Sequence, residues 1–524
     1  MPNDFTIRLL VTSDIHGYIY PTTYRDRDHT EKNFGLAKIA TIIKEKRMKE
    51  KILLLDNGDL IQGSPLTYYH AKYKPNTENP IIKIANSLQY DWAICGNHEF
   101  NYGLDYLKEA IQQSTFPWLS ANIIYSSTKE PAFGTPYTIK VIDEVKIAIL
   151  GITTHFIPNW EEKKNIEGLQ FNDALLTAKW WVSHIRQKEK PDVIIVSYHG
   201  GFERDLQTGE QTERLTGENQ AYTMCKELGD IDILITGHQH RTLTGTINGI
   251  TFLQPGHHGR YIGEICIKGT KQEGSISSIH CSANLIEIDE SIKADQETLS
   301  FIDDFQEETQ KWLDQSIGTV IGDMTIKNVL HARLQDNPYI EFINNVQMNA
   351  SGAAISNTAL FTNESLGFQT NITMRDIVSN YIYPNTLKVI RISGQDIKEA
   401  LEQTAQYFTI ENGNITVNPA FSYPKPQHYN YDMWEGIEYE LNISNPIGQR
   451  VIHLNHQGAP LQLNQQYDVV MNSYRASGGG NFNMFKEKPV IKDIPIDMTE
   501  LIANYIRERK IIKATCNNNW KVVL

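Results

Sequence analysis

The stretch DWAICGNHEFNYG (91–103) sets an apolar run, Asp91 to Cys95, directly against an amide and an imidazole, Asn97 and His98. Core packing gives no reason for those side chains there, because a buried amide or imidazole without partners costs about 1–3 kcal/mol. A second amide, Asn101, follows three residues after His98. Outward from this stretch the same pattern recurs: a short apolar run that ends in polar groups. IRLLVTSDIHG (7–17) ends in Asp14 and His16, and KILLLDNGD (51–59) in Asp59. DVIIVSYHGG (192–201) ends in His199, and IDILITGHQH (231–240) in His238 and His240. Helix-compatible segments lie between several of them, such as LAKIATIIKEKRMKEK (36–51) and NDALLTAKWWVSHIRQKEK (172–190). Apolar runs of strand length alternating with helices predict α/β layers whose sheets are buried on both faces. In such layers ligands collect beyond the carboxyl ends of strands, where these polar groups fall.

The chain of 524 residues is long enough for two or three domains. Its hydrophobic content of 40% and charged content of 21% are those of an ordinary globular protein. A net charge of −13 argues against a nucleic-acid polymer as partner, since that needs a basic face. No stretch reaches the roughly 18 uninterrupted apolar residues of a membrane helix, and the start, MPNDFTIRLL, lacks a basic segment followed by a long apolar one. The five cysteines are scattered and form no CxxC pair, so they read as reduced thiols and not as a disulfide frame. A cytoplasmic location is the expectation.

Beyond about residue 285 the composition changes. SIKADQETLSFIDDFQEETQKWLDQSIG (291–318) is acidic and reads as a connecting helix. After it come strand signals NTLKVIRISG, GIEYELNIS and QYDVVMNSY, with a helix-like QDIKEALEQTAQYF among them. The expected organisation is a catalytic domain over 1–288, a connecting helix over 289–319, and an α/β domain over 320–524.

Asp14, His16, Asp59, Asn97, His199, His238 and His240 form one donor set of carboxylate, imidazole and amide oxygen. Such donors suit borderline divalent ions such as Mn²⁺, Zn²⁺, Co²⁺ or Fe²⁺, and no thiolate is required. Seven donors exceed one four-coordinate structural zinc; they suit two ions about 4 Å apart that share a carboxylate. Such a pair clamps a phosphoryl group and acidifies the water between the ions. Taken singly, an Asp-x-His is a turn and a lone His a core residue; the ordered combination at five strand ends is what carries the reading.

The set resembles the calcineurin-like metallophosphoesterase superfamily. DLIQGSP, GNHEFNYG, YDMWEG and NSYRASGGGNF look like its 5′-nucleotidase/2′,3′-cyclic-nucleotide 2′-phosphodiesterase branch. The resemblance covers nearly the whole chain. It implies a four-layer αββα catalytic domain followed by a nucleotide-recognition domain. It also implies that Asp14, His16, Asp59 and His240 hold a first metal, that Asp59 bridges, and that Asn97, His199 and His238 complete a second. His98 is then the catalytic assistant that hydrogen-bonds a phosphoryl oxygen or protonates the leaving alkoxide. Two positions depart from periplasmic 5′-nucleotidases: His240 stands where a glutamine is common, and Asn101 where an aspartate backs the histidine. Asn101 orients the ring without supplying charge, or it is a turn amide capping YGLDYLKEA; Asp105 or Glu99 is a candidate for the missing carboxylate.

In the family two aromatics sandwich the base. They map to Tyr431 and Tyr474, with Asp432 or Asn472 near enough in sequence to reach base or ribose, and Tyr429 as a weaker neighbour. The nucleotide-gripping arginines of 5′-nucleotidases are not clearly matched, since 363–376 offers only Arg375, next to a strand signal. The implied activity is a 2′,3′-cyclic-nucleotide 2′-phosphodiesterase/3′-nucleotidase using two divalent ions and a nucleotide or cyclic-nucleotide substrate. Its alternatives are a 5′-nucleotidase or UDP-sugar hydrolase, and, from a different class, a non-catalytic nucleotide-binding protein.

Overall fold

A computed structural model describes residues 3–25, 31–272, 275–383, 385–423 and 425–524. Contacts divide the chain into two compact units, Met1–Thr309 and Gln310–Leu524. Among the described residues the first unit contains two six-stranded sheets. One has the spatial order Ser275–Glu287, Tyr261–Gln272, Asn3–Thr12, Ile52–Asp56, Trp92–Ile94, Trp118–Leu119. The other has the order Thr242–Ile247, Ile250–Pro255, Ile233–Ile235, Val193–His199, Val145–Thr153, Tyr137–Ile142.

Alternate residues of both sheets, among them Leu9, Val11, Leu55, Ile94, Ile147, Ile149, Ile195 and Ile235, form one shared apolar cluster, so the sheets pack face to face. The residues between them, such as Leu10, Leu54, Ile194 and Leu234, are also fully buried. The second sheet's outer face packs on Ala174, Ala178, Val182 and Ile185 of the helix Ala174–Lys188. Helix Leu36–Arg47 connects two parallel neighbours, Asn3–Thr12 and Ile52–Asp56, and so must lie on a face of its sheet. The inner face being occupied, it takes the outer one, and burial of Leu36, Ile39, Ala40 and Ile43 fits that. Double-sided burial explains why the sequence shows continuous apolar runs rather than alternation.

Parallel register gathers the functional ends. Thr12 lies opposite Asp56 and Asp56 opposite Ala93, so three neighbouring strands release their polar tails together. In the second sheet Ser197 lies opposite Ile235, placing the tails that carry His199 and His238 side by side.

The second unit is also mixed α/β. Its main sheet has the order Asp432–Glu435, Ile355–Ala359, Gln466–Asn472, Leu387–Ser393, Val490–Ile494. The helix expected from QDIKEALEQTAQYF runs Gly394–Ala405 behind a Ser393/Asp396 capping box. Two local expectations change. The acidic stretch 291–318 is not one helix: it forms Gln296–Ser300 and Asp303–Leu313, then the strand Ser316–Ile321. Arg375 sits in the helix Met374–Asn380 rather than in a strand, because Thr373 and Asp376 form a capping box that starts a helix there.

None of the described helices is long and apolar enough to cross a membrane. All five cysteines are free thiols.

Candidate metal centre

The polar strand tails converge into two groups. Asp14, His16 and His240 offer ligand atoms within 4.8 Å of one another, and so do Asp59, His199 and His238. Asp59 lies between them, its Oδ2 3.2 Å from His199 Nε2 and 3.8 Å from His16 Nε2. Asn97 joins the second group, its Oδ1 2.7 Å from His238 Nδ1 and 3.2 Å from His199 Nε2. The His16 and His240 Nε2 atoms stand 3.1 Å apart, and His240 Nε2 is 3.5 Å from Asp14 Oδ1. All seven expected donors are therefore brought together.

The backbone carries strain at these positions. Asp14, His16, Asp59, His238 and His240 all have φ between 51° and 68°, a region that non-glycine residues seldom occupy. Each costs of order 1–3 kcal/mol and persists only where the surroundings over-determine it. The preceding glycines are needed for space. A Cβ on Gly58 would stand 2.7 Å from His199 Nδ1, and one on Gly96 would collide with Asp59 Oδ1. The Gly-Asp and Gly-Asn spellings thus follow from how closely the donors crowd.

Three rings have their outward nitrogen fixed by an acceptor. His16 Nδ1 donates to the Gln62 carbonyl at 3.0 Å, and His199 Nδ1 to the Asn57 carbonyl at 2.7 Å. His238 Nε2 donates to Glu218 Oε1 at 2.8 Å. In each case the other nitrogen faces the cluster and offers its lone pair there once deprotonated, the arrangement that metal-ligating histidines require. Trp160 stacks on His238 at 5.4 Å, and His257 on His240 at 4.6 Å.

Electrostatics agree with a cation-seeking site. Burial would raise the Asp59 carboxyl, but His199, His98 and His16 reverse this and hold it well below the usual carboxylate range. Burial would lower His199, but the carboxylates of Asp59 and Asp14 outweigh it and lift the ring to about 10. Burial keeps His16 neutral, pushed down to about 3. A divalent ion would replace the proton that His199 holds against two buried carboxylates. The donor set therefore fits two borderline divalent cations.

His98 is anchored by its backbone N–H, which donates to Asp59 Oδ1 at 2.7 Å. Its Nδ1 lies 2.7 Å from Asn101 Oδ1. Asn101 is not the cap of the following helix: Gly103 occupies the cap position of Leu104–Gln113, without a side-chain bond. Neither carboxylate proposed from the sequence backs His98. Asp105 is exposed in the first turn of that helix. Glu99 is buried and accepts four backbone N–H groups, from Gly96 (2.6 Å), Asp59 (2.8 Å), Leu60 (2.7 Å) and Ile61 (3.2 Å). It clamps the two turns that carry Asp59 and Asn97.

The base-recognition residues need correction. Tyr431 is fully buried, packed at 5.0 Å on both Tyr407 and Phe408, so it has no face for a base. The partly exposed rings are Tyr429 and Tyr474, 6.1 Å apart at 79°. Asp432 is buried against Arg475, its Oδ2 2.8 Å from Arg475 Nε, and is thereby occupied inside the protein. Asn472 caps the short helix Ser473–Ala476 by accepting from Arg475 N. These two residues shape the loop beneath Tyr474. The second unit also has a group that sequence reading missed, Asp336, Glu341 and Cys516, drawn together from distant segments.

Comparison with known proteins follows the same division. The family profile "Calcineurin-like phosphoesterase" matches residues 7–242, and "5'-nucleotidase, C-terminal domain" matches residues 316–487. A Staphylococcus aureus protein provisionally called a 5′-nucleotidase, crystallised with alpha-ketoglutarate, is 34% identical with a TM-score of 0.92, over 99% of this chain and 100% of that one. The chain belongs to the calcineurin-like phosphoesterases that carry a 5′-nucleotidase C-terminal domain. A 2′,3′-cyclic-nucleotide 2′-phosphodiesterase/3′-nucleotidase of Haemophilus influenzae is 28% identical over 99% of this chain and 88% of its own length. The trifunctional nucleotide phosphoesterase protein YfkN of Bacillus subtilis is 29% identical over 98% of this chain, which spans 39% of that protein. Calcineurin-like phosphoesterases use a dinuclear divalent metal site, and this structure has two candidate groups of donors.

Proposed function

We propose that this protein is a metal-dependent nucleotide phosphohydrolase that opens 2′,3′-cyclic nucleotides to 3′-nucleotides and removes the 3′-phosphate. The observation that carries the reading is the pair of donor groups sharing Asp59 beside His98. Asp14, His16, Asp59 and His240 would hold one ion, and Asp59, Asn97, His199 and His238 the other; Mn²⁺, Zn²⁺, Fe²⁺ and Co²⁺ all suit the donors. Bound there, the two ions supply charge for the phosphoryl oxygens and a water acidic enough to attack phosphorus at neutral pH.

In the reaction a water oxygen bonds to phosphorus, the P–O2′ bond breaks, and the departing oxygen takes up a proton. His98 is assigned to deliver that proton from Nε2, the nitrogen left over once Nδ1 is held by Asn101. The cyclic branch is favoured by His240 in the last ligand position, by Asn101 in place of aspartate, and by the activity for which the Haemophilus relative is named. Tyr429 and Tyr474 are assigned to the base, whose stacking is tolerant of base identity. Reduced thiols throughout support a cytoplasmic setting.

A 5′-nucleotidase is the second reading, supported by the Staphylococcus structure. The test is hydrolysis of 2′,3′-cAMP, 3′-AMP, 5′-AMP and UDP-glucose in Mn²⁺. Highest kcat/KM on 2′,3′-cAMP is expected; a higher value on 5′-AMP moves the reading to the 5′-nucleotidase. Tight nucleotide binding without phosphate release under any of these metals would replace an enzyme by a binding protein.

A further inference from the structure

Asn101 reaches beyond its own turn. Its Nδ2 donates to Glu161 Oε2 at 2.6 Å, across 60 residues of chain. The other oxygen of Glu161 accepts from Glu162 N at 2.8 Å and from Asn165 Nδ2 at 2.9 Å. Asn165 Nδ2 also lies 3.4 Å from the Asn101 carbonyl, so the segment around Glu161 grips both the side chain and the backbone of Asn101.

The bonds impose an order of donors and acceptors. An ionised carboxylate has no hydrogen to give, so the amide group facing Glu161 must be the NH₂. The amide carbonyl then faces His98, and a carbonyl cannot donate. His98 Nδ1 must therefore carry the hydrogen, whichever way the ring is charged. The neutral ring keeps its lone pair on Nε2, and the protonated ring presents an N–H there. Without Glu161 nothing fixes this order: the amide can turn over, donate to Nδ1, and select the opposite tautomer.

We propose that Glu161 is a positioning residue for His98, acting through Asn101, so that the carboxylate which backs the histidine is displaced one residue outward rather than lost. This rests on the reading of His98 as the acid of a phosphoester hydrolase. It also accounts for Asn101, which supplies the link between ring and charge.

The test is steady-state kinetics on 2′,3′-cAMP and on bis(p-nitrophenyl) phosphate, with bound metal measured in each protein. Glu161→Gln leaves one acceptor oxygen where two are needed, and frees the Asn101 amide to turn. Its kcat on 2′,3′-cAMP is expected to fall about 10- to 100-fold, the usual range for removing such a supporting partner. The loss on the aryl ester is expected to be several-fold smaller, since p-nitrophenolate departs without a proton. The double variant Asn101→Asp/Glu161→Gln puts the charge directly on Nδ1, with the glutamine amide donating to it. Its kcat is expected to return to within about threefold of wild type.

Wild-type kcat in Glu161→Gln, equal losses on both substrates at normal metal content, or no recovery in the double variant would each overturn the proposal. If Glu161→Gln does not fold or does not load metal, Glu161→Asp is read instead. That variant keeps the charge but loses the reach to Asn101, and the same selective loss is expected, with wild-type kcat overturning the proposal. A wild-type protein inactive on every nucleotide refutes the parent reading, and is thereby distinguished from failure of this one.

Discussion

Replacing Glu99 by glutamine changes one atom in the motif yet should loosen the whole centre. The carboxylate is 1% exposed, and each of its oxygens accepts two backbone N–H groups: Oε2 from Asp59 and Gly96, Oε1 from Leu60 and Ile61. A glutamine keeps one oxygen and turns an NH₂ toward the other pair, so two buried donors lose their acceptor. Hydrogen bonds to charged groups contribute about 1.5–3 kcal/mol each, giving a loss of about 3–6 kcal/mol. Against it stands the relief of no longer burying a charge, since burial pushes the Glu99 carboxyl above its ordinary value. The two lost bonds outweigh that relief, and the expected net destabilisation is at least about 1 kcal/mol.

The assay is urea unfolding of the full chain with and without Mn²⁺, fitted with separate transitions for the two units. The transition whose midpoint rises with Mn²⁺ belongs to the unit holding the donors, and it should move down while the other stays in place. A Glu99→Gln protein within about 0.5 kcal/mol of wild type in that transition, well below the expected range, would refute the clamp.

Four further outcomes follow from the geometry. His98→Ala should lower kcat on the cyclic nucleotide about a hundredfold or more with metal content unchanged, and full activity with metal bound would refute its role. Tyr474→Ala and Tyr429→Ala should each raise KM by an amount matching about 1–3 kcal/mol of lost stacking. Tyr431→Phe should leave KM unchanged, because that ring is buried and its hydroxyl has no partner among the described residues. Glu435 is pushed up to about 7 by burial, with Asp336 and Glu341 adding to it. Its ordinary value lies near 4.5, so between the two the folded chain keeps a proton that the unfolded chain has lost. Stability of the second unit should therefore fall as pH rises through that window, and Glu435→Gln should flatten the fall in urea midpoints between pH 5 and pH 8.

Several elements were legible because their causes are local. The alternation of buried strands and helices followed from run length and apolar content, and Leu36–Arg47, Ala174–Lys188, Leu387–Ser393 and Gly394–Ala405 lie where that pattern put them. The seven donors were legible because each sits at the end of a strand or within a few residues after it, and parallel register brings such ends to one place. The strand signal beside Arg375 stops short at Asn371–Thr373, because the Thr373/Asp376 capping box starts a helix at Met374.

Tyr431 and Tyr429 show where local reading ends. Two residues apart in one aromatic loop, they are indistinguishable by composition, yet packing on Tyr407 and Phe408 takes one into the core and leaves the other partly open. Glu99 stood inside the motif itself, but its task was invisible because its four partners are backbone groups of two turns. Glu218 on His238 and Glu161 on Asn101 reach their partners across 20 and 60 residues. By itself the sequence determined the chemistry available, because donor type and strand-end position are properties of short segments. Which nitrogen of each ring faces the donor cluster, which carboxylate Asn101 reaches and which aromatic stays open were decided only by the tertiary structure, because hydrogen-bond partners and burial are set by what packs alongside.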